Sequence, residues 1–276
     1  MPEPVGAAPS VPVKMMVADV DGTLVTPDKE LTDAAIGAVA KLHDAGIVFA
    51  VTSGRPPRGM SMLIEPLHLT TPIAAFNGGL FAKPDMSVIE QRLVPDRVTT
   101  QIVKMFRAEG LDVWIYRGAE WFVTDRDAPH VAREAWTVRF EPTVVDDVAT
   151  VAHDVAKVVG VSDDHELVST VAERVRERFG DHVSAAPSQP YYLDVTHPEA
   201  NKGSVVRYLS ETFGIPLGQI ATIGDMPNDV LMFAHVGLSI AMGNASGEVQ
   251  RAARRVTATN QEEGFAKAVE RFVLPR

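Results

Sequence analysis

Two acids two residues apart, Asp19 and Asp21, close the apolar run 15–20 and lead into Gly22-Thr23-Leu24. Carboxylates this close repel each other, and the usual relief is a hard cation that takes oxygen ligands, magnesium where phosphates are handled. An activated carboxylate can also be a nucleophile in phosphoryl transfer. Asp-Gly is a common turn pair as well, so the hexapeptide alone is compatible with an ordinary turn at a strand end.

Further junctions of the same kind occur along the chain. Thr52-Ser53-Gly54-Arg55 ends an apolar run and offers a hydroxyl and backbone amides before a helical stretch, a natural phosphate cradle. Asn77-Gly78-Gly79 ends the next run in a turn that two glycines permit. Asn201-Lys202-Gly203 puts a lysine at a helix start, where the helix dipole disfavours it, so a role in balancing phosphate and aspartates is invited. Gly224-Asp225-Met226-Pro227-Asn228-Asp229 again follows an apolar run, with Pro227 suited to a first helical turn. Asp225 can complete an oxygen shell around a cation, while Asn228 and Asp229 can supply supporting hydrogen bonds or a further contact. Taken singly, these segments also fit helix caps, capping turns and a solvated lysine.

The elements that must position these groups follow from periodicity. Short apolar runs alternate with helical stretches, the pattern of a parallel sheet with crossover helices. Strands are expected at 15–20, 47–51 and 72–76, with Thr32 capping a helix that carries Ile36, Val39 and Leu42 and that Gly46 stops. The texture then changes: a helix at 96–108, a hairpin of 113–116 with 121–124, more helix, a strand at 156–161 and a helix at 164–179. Alternation resumes with strands at 192–195, 220–223, 238–241 and 256–258. The expected organisation is a flexible tail at 1–12, a catalytic core from 13–84 and 190–276, and a second α/β domain at 85–189. Lys83-Pro84-Asp85 and Pro187-Ser188-Gln189-Pro190 would form its stiff crossings.

Composition bounds the chemistry. With 276 residues, 46% of them hydrophobic, the chain can bury a sizeable core. It has no cysteine, which removes thiolate metal sites and cysteine nucleophiles. A formal charge of -10 disfavours nucleic acid and anionic lipid as partners and leaves a small ligand or a metal. The first residues do not read as a signal peptide, and no apolar run approaches the roughly 20 residues a membrane span needs. A soluble, cytoplasmic protein is expected; oligomeric state is not readable.

The ordered set Asp19-x-Asp21-Gly22-Thr23, Ser53-Gly54-Arg55, Lys202 and Gly224-Asp225-x-x-Asn228-Asp229 resembles the haloacid dehalogenase superfamily. Asn77-Gly78-Gly79, the insert after it and Met242-Gly243-Asn244-Ala245 resemble the Cof-like branch of sugar-phosphate phosphatases. The resemblance covers the whole folded chain. It implies a Rossmann-like, doubly wound parallel-sheet core with an inserted α/β cap. It further implies Asp19 as nucleophile, Asp21 as acid and then base, and Lys202 as the group holding Asp19 and the phosphate. Ser53 would bind phosphate, and Gly54, Arg55, Asn77, Gly78 and Asn228 join it as substrate-binding candidates. Mg2+ would be held by Asp19 and Asp225 and by the backbone carbonyl of Asp21, with Asp229 supporting from behind. An acid at position 21 points to phosphate esters, since relatives that break carbon–halogen bonds lack it.

The implied activity is magnesium-dependent hydrolysis of a small phosphorylated metabolite, a sugar phosphate or similar monoester. A phosphomutase shares the first half of this chemistry, and a non-catalytic, magnesium-dependent phospho-acceptor or metabolite-binding module also places acids at strand ends. A domain of about a hundred residues that excludes water favours catalysis over signalling. Selectivity should come from side chains of the inserted domain, with Arg117, Trp121 and Arg126 as candidate contacts. His197 receives no assignment.

Overall fold

The computed structural model describes residues 11–275, so all but the last two residues of the expected tail lie outside it. The strands in chain order are β1 (Met15–Asp19), β2 (Val48–Thr52), β3 (Ile73–Ala75), β4 (Leu80–Ala82), β5 (Val88–Gln91), β6 (Asp112–Arg117), β7 (Glu120–Val123), β8 (Thr143–Val144), β9 (Lys157–Val161), β10 (Ser184–Gln189), β11 (Tyr192–Thr196), β12 (Ile220–Gly224), β13 (Leu238–Ala241) and β14 (Arg255–Val256). The helices are α1 (Asp33–Asp44), α2 (Asp96–Ala108), α3 (Val131–Val138), α4 (His165–Phe179), α5 (Lys202–Phe213), α6 (Val230–Phe233), α7 (Gly247–Ala252) and α8 (Gly264–Ala268). The chain divides into two compact units, Met1–Ser53 with Met62–Ile73 and Asn201–Arg276, and Gly54–Ser61 with Ala74–Ala200.

In the first unit the strands run in the order β14-β13-β12-β1-β2, every neighbouring pair parallel. β1 and β12 are buried along their whole length, as strands covered on both faces must be. α1 shows how the sequence sets a crossover. Thr32 accepts from the Ala35 amide at 3.1 Å, Ala35, Ala38, Val39 and Leu42 form the buried stripe, and Gly46 takes the left-handed conformation (φ 69°) that ends it. The chain leaves β1 towards β2 on one side, while β12 lies on the other and continues towards β13. Adjacent carboxyl ends that diverge in this way open the crevice in which doubly wound, Rossmann-like sheets bind ligands.

The second unit is an α/β layer around a six-stranded sheet, β10-β11-β9-β6-β7-β8, antiparallel except for β7 with β8. Because strand side chains alternate, the sheet has two characters. Val113, Ile115, Phe122, Val158, Leu193 and Val195 share an apolar core with Ile102 and Phe106 of α2 and with Val168, Val171 and Val175 of α4. A Cβ on Gly160 would lie 2.7 Å from the Leu111 side chain and 2.9 Å from Phe106, so the missing side chain is what lets this layer close. The opposite face carries Trp114, Tyr116, Trp121, Lys157, Tyr192 and Asp194.

Three local expectations differ from the structure. The strand at 192–195, read as the return to βα alternation, is β11 and pairs antiparallel with β10 and β9 in the second unit. A five-residue run with one acid has no period long enough to show which sheet it joins. The two proline-bearing stretches are hairpin turns inside that unit: Lys83 donates to the Ser87 carbonyl between β4 and β5, and Pro187 lies opposite Leu193 at a bulge in β10. β10 is an edge strand, where a residue without an N–H is tolerated. Finally, the helical stretch after Arg55 is a 3-10 segment, Pro57–Leu63, because Pro56 and Pro57 remove two amide donors from its start.

Asp164 caps α4 by accepting from the amides of Glu166 at 3.1 Å and Leu167 at 3.0 Å. Asp164→Ala should therefore lower stability by about 1 kcal/mol in denaturant unfolding; an unchanged midpoint would mean the cap contributes nothing.

Candidate active site

After β1 the chain turns sharply: the Val20 carbonyl accepts from Leu24 N at 3.0 Å and Val25 N at 3.1 Å, with Thr23 N at 3.4 Å. The turn needs Gly22 at φ 78°, and a Cβ there would stand 2.3 Å from Asp225 Oδ2. Both its conformation and its missing side chain thus bring the β1 and β12 loops together. Asp19 points into this space, 4% exposed.

Asn201 caps α5, accepting from Ser204 N at 3.0 Å, and the next residue, Lys202, turns inward with 2% exposure. Its ammonium donates to Asp19 Oδ1 and Asp229 Oδ1, both at 2.5 Å. Asp229 is fully buried, and its other oxygen accepts the amides of Asp225 at 2.9 Å and Met226 at 2.8 Å, closing the turn that follows β12. Gly224 is again obligatory, since a Cβ would meet Asp229 Cγ at 2.3 Å. Asp225 is oriented from two sides, by Thr23 Oγ1 at 3.1 Å on Oδ1 and by Asn244 Nδ2 at 3.2 Å on Oδ2. Asn244 also donates to the Gly22 carbonyl at 2.9 Å and accepts from Asn260 N at 3.0 Å.

Asp19, Asp225 and Asp229 each offer an oxygen within 4.8 Å of the others. Burial, then the charge of Asp229, raises Asp225 to about 6. Burial likewise pushes Asp19 well above the usual carboxylate range, against the pull of Lys202 and with the help of Asp229 and Asp225. Burial works to lower the Lys202 pKa, but Asp19 and Asp229 outweigh it and hold the ammonium charged. Three carboxylates face one ammonium, so with all three ionised two negative charges would be uncompensated away from water, and the raised pKa values of Asp19 and Asp225 express that cost. A divalent cation with oxygen ligands fits this donor set in charge and hardness, and the acidic trio can bind a metal ion.

The family profile of the haloacid dehalogenase-like hydrolases matches residues 16–269. The chain belongs to that family. A protein of Haemophilus influenzae is 30% identical over 258 residues, covering 93% of this chain and 97% of its own. The 5-amino-6-(5-phospho-D-ribitylamino)uracil phosphatase YitU of Bacillus subtilis is 26% identical over 273 residues, 94% of this chain and 97% of its own. A crystal structure of a haloacid dehalogenase-like hydrolase from Bacteroides thetaiotaomicron superposes with a TM-score of 0.86 at 28% identity, covering 94% of this chain and 99% of its own. The protein is a phosphatase of the Cof-like branch of haloacid dehalogenase-like hydrolases, with their α/β fold. No helix among the described residues is long and apolar enough to cross a membrane.

Of the residues singled out in the sequence, Asp19, Lys202, Asp225 and Asp229 meet in one cluster. Asp21 lies outside the carboxylate trio and pairs with Lys29 at 2.7 Å. Ser53 is buried at the end of β2, whose last residue Thr52 is opposite Asp19 in register. Asn228 is exposed beside Pro227. Gly54, Arg55, Asn77 and Gly78 belong to the second unit, where a Cβ on Gly54 would stand 3.6 Å from the Asn77 amide and Arg55 Nη1 donates to the Gly59 carbonyl at 2.9 Å. Phe76, Asn77 and Gly78 have three successive positive φ values, 50°, 56° and 95°, a strained turn of the sort that sites retain. Arg117 contacts His153 at 2.7 Å and the Phe122 ring, Arg126 is exposed, and His197 Nδ1 accepts its own loop's Glu199 amide at 3.1 Å. Thr23, Lys29 and Asn244 are the polar neighbours that motif reading did not assign; Asn244, in a Gly-Asn turn just past β13, carried the clearest signal.

Two measurements follow. Metal binding requires the ionised trio, so divalent-metal affinity should rise as pH passes upward through about 6, where Asp225 ionises, and go on rising while the raised Asp19 loses its proton, with protons released in calorimetry. The same shift makes the metal-free fold less stable as pH rises from about 4 towards 6, since a raised carboxylate pKa stabilises only while the group stays protonated. An affinity flat between pH 5 and 7.5 would contradict this. Gly22→Ala should weaken metal binding at least tenfold, through both the φ strain and the collision with Asp225; wild-type affinity in a folded variant would refute the close approach.

Proposed function

We propose that the chain hydrolyses the phosphomonoester of a small phosphorylated metabolite with Mg2+, through a phospho-aspartyl intermediate on Asp19. The observation that carries this reading is the clamp on Asp19: one oxygen is held by Lys202, which Asp229 anchors in turn, and the other oxygen is the one that would attack phosphorus. Magnesium, held by Asp19, Asp225 and the Asp21 carbonyl, would supply neutralising charge to the phosphate. Asp229, whose oxygens already accept three hydrogen bonds, supports this set from behind.

In the first half-reaction the free Asp19 oxygen bonds to phosphorus, the ester P–O bond breaks, and protonated Asp21 gives its proton to the departing alkoxide. In the second, the Asp21 carboxylate takes a proton from water, the hydroxyl oxygen bonds to phosphorus, and the bond to Asp19 breaks to release orthophosphate. Lys202 neutralises charge on Asp19 as it is regenerated. Ser53 and the backbone of Gly54 bind phosphate oxygens, with Arg55, Asn77, Gly78 and Asn228 as further substrate contacts. Phosphate-monoester hydrolysis is among the slowest uncatalysed reactions, with enhancements up to ~10²¹, and splitting it into two steps beside a cation answers that demand. Charged phosphate esters do not cross lipid unaided, which supports the cytoplasm as the place of action.

The test is phosphate release from a panel of phosphorylated metabolites with magnesium and with chelator. Release should need the metal and fall by about 10³-fold or more in Asp19→Asn, with circular dichroism unchanged. Asp21→Asn should still be phosphorylated by an activated ester yet turn over slowly. Retained activity in Asp19→Asn would sink the covalent mechanism.

A further inference from the structure

Asp21 stands outside the buried trio of the first unit, and a lysine from its own loop holds it. Lys29 Nζ donates to Asp21 Oδ1 at 2.7 Å, the two side chains being 20% and 32% exposed. The lysine reaches back from a tight turn: Lys29 N donates to the Thr26 carbonyl and Thr26 N to the Glu30 carbonyl, both at 3.0 Å, while Thr26 Oγ1 accepts from Glu30 N at 3.2 Å. The base of that turn is fixed within the same unit. Asp21 bridges to Val25, whose carbonyl accepts from Asn260 Nδ2 at 2.9 Å. Lys29 itself has φ 61°, a left-handed conformation that glycine or asparagine adopts more readily than a lysine.

Stability does not account for a lysine at this position. An ion pair so accessible to water contributes little, and the left-handed backbone subtracts from it. A residue held in such a conformation by its surroundings points to function. We infer that Lys29 is a positioning residue for Asp21, fixing its carboxylate by one oxygen so that the group is presented to the water that cleaves the phospho-enzyme. Both acids of the Asp19-x-Asp21 pair are then gripped at Oδ1 by an ammonium, Asp19 by Lys202 from α5 and Asp21 by Lys29 from its own loop. An acid–base group needs a third group to orient it, because a carboxylate that rotates freely spends little time within reach of the reacting proton. The carboxylate is the form that acts in the second half-reaction, where Asp21 takes the proton, the water oxygen bonds to phosphorus and the bond to Asp19 breaks. The loss of Lys29 must therefore appear in that step.

The inference rests on the phospho-aspartyl reading, and the experiment keeps the two apart. With p-nitrophenyl phosphate, whose leaving group needs no proton, phosphorylation is followed by rapid mixing and hydrolysis by the decay of labelled phospho-enzyme after a chase. Wild type, Lys29→Met, Asp21→Asn and the double variant are compared. Lys29→Met should slow decay, and with it kcat, roughly 10- to 100-fold, while kcat/KM, which phosphorylation sets, stays unchanged. In the Asp21→Asn background it should change nothing further, because Lys29 acts only through that carboxylate. Equal losses in both backgrounds, or a fall in kcat/KM with the decay rate kept, overturn the assignment. Lys29→Gly separates role from fold: it relieves the left-handed backbone, so its denaturant midpoint should match or exceed that of the wild type while decay slows as in Lys29→Met. A lower midpoint with normal decay leaves a structural pair. A wild type that forms no phospho-enzyme overturns the covalent reading and this assignment with it, a result distinct from a wild type that is phosphorylated and a Lys29 variant that hydrolyses normally.

Discussion

The first unit is organised around a charge problem. Asp19, Asp225 and Asp229 are held within a few ångströms of one another, away from water, with Lys202 as the compensating cation in contact with two of them. Like charges in a medium of low dielectric repel far more strongly than at a surface, and a fold retains them only where the backbone over-determines their positions. The loops supply that constraint. Gly22 and Gly224 bring backbone where no Cβ fits, Asp229 is held by two amides of its own turn, and Asn244 ties the β1 loop to Asp225. Those interactions stabilise an arrangement that electrostatics alone would disperse, and leave a deficit that a dication can fill.

The sheet order explains why these residues converge although they lie far apart in the chain. β1 and β12 are parallel neighbours at the centre, so Asp19 and Asp225 leave the same edge, and α5 starts at that edge with Lys202 at its first position. A lysine there opposes the helix dipole, a cost that the two carboxylates outweigh. The helix start is thus used to direct an ammonium inward rather than to bind an anion by its amides.

This part was legible because the signals are local and their order constrains them: an apolar run, then acids and a glycine, places the acids at a strand's carboxyl end before anything is known of tertiary packing. The helix at 96–108, the hairpin at 113–124 and the strand at 238–241 were readable for the same reason, each carrying its own periodicity and punctuation. What failed was assignment between sheets. Residues 192–195 carry a strand pattern, but a partner is a non-local property, and β11 pairs with β9, some thirty residues back, instead of with the core. Proline misled for a related reason, because a bulge on an edge strand and a crossing between modules call for the same residue. Thr23, Lys29 and Asn244 were unassigned because a side-chain hydrogen bond to a carboxylate on another turn leaves no periodic trace.

The two faces of the second unit's sheet carry different kinds of information. The apolar face follows from alternation and could be filled by many combinations of similar volume. The other face holds an ion pair, a phenol bonded to Glu134 at 2.8 Å and a buried indole N–H with no partner among the described residues, which alternation cannot distinguish from solvent-facing polarity. Only the structure reveals that these polar groups are enclosed. Enclosure changes their meaning: an exposed Lys-Asp pair contributes little to anything, whereas a buried pair with one oxygen unsatisfied is a cost the fold bears without a structural return. Lys202 and Lys157 make the contrast within one chain. The first is held by two carboxylates; the second is matched by a single carboxylate, one of whose oxygens has no partner among the described residues.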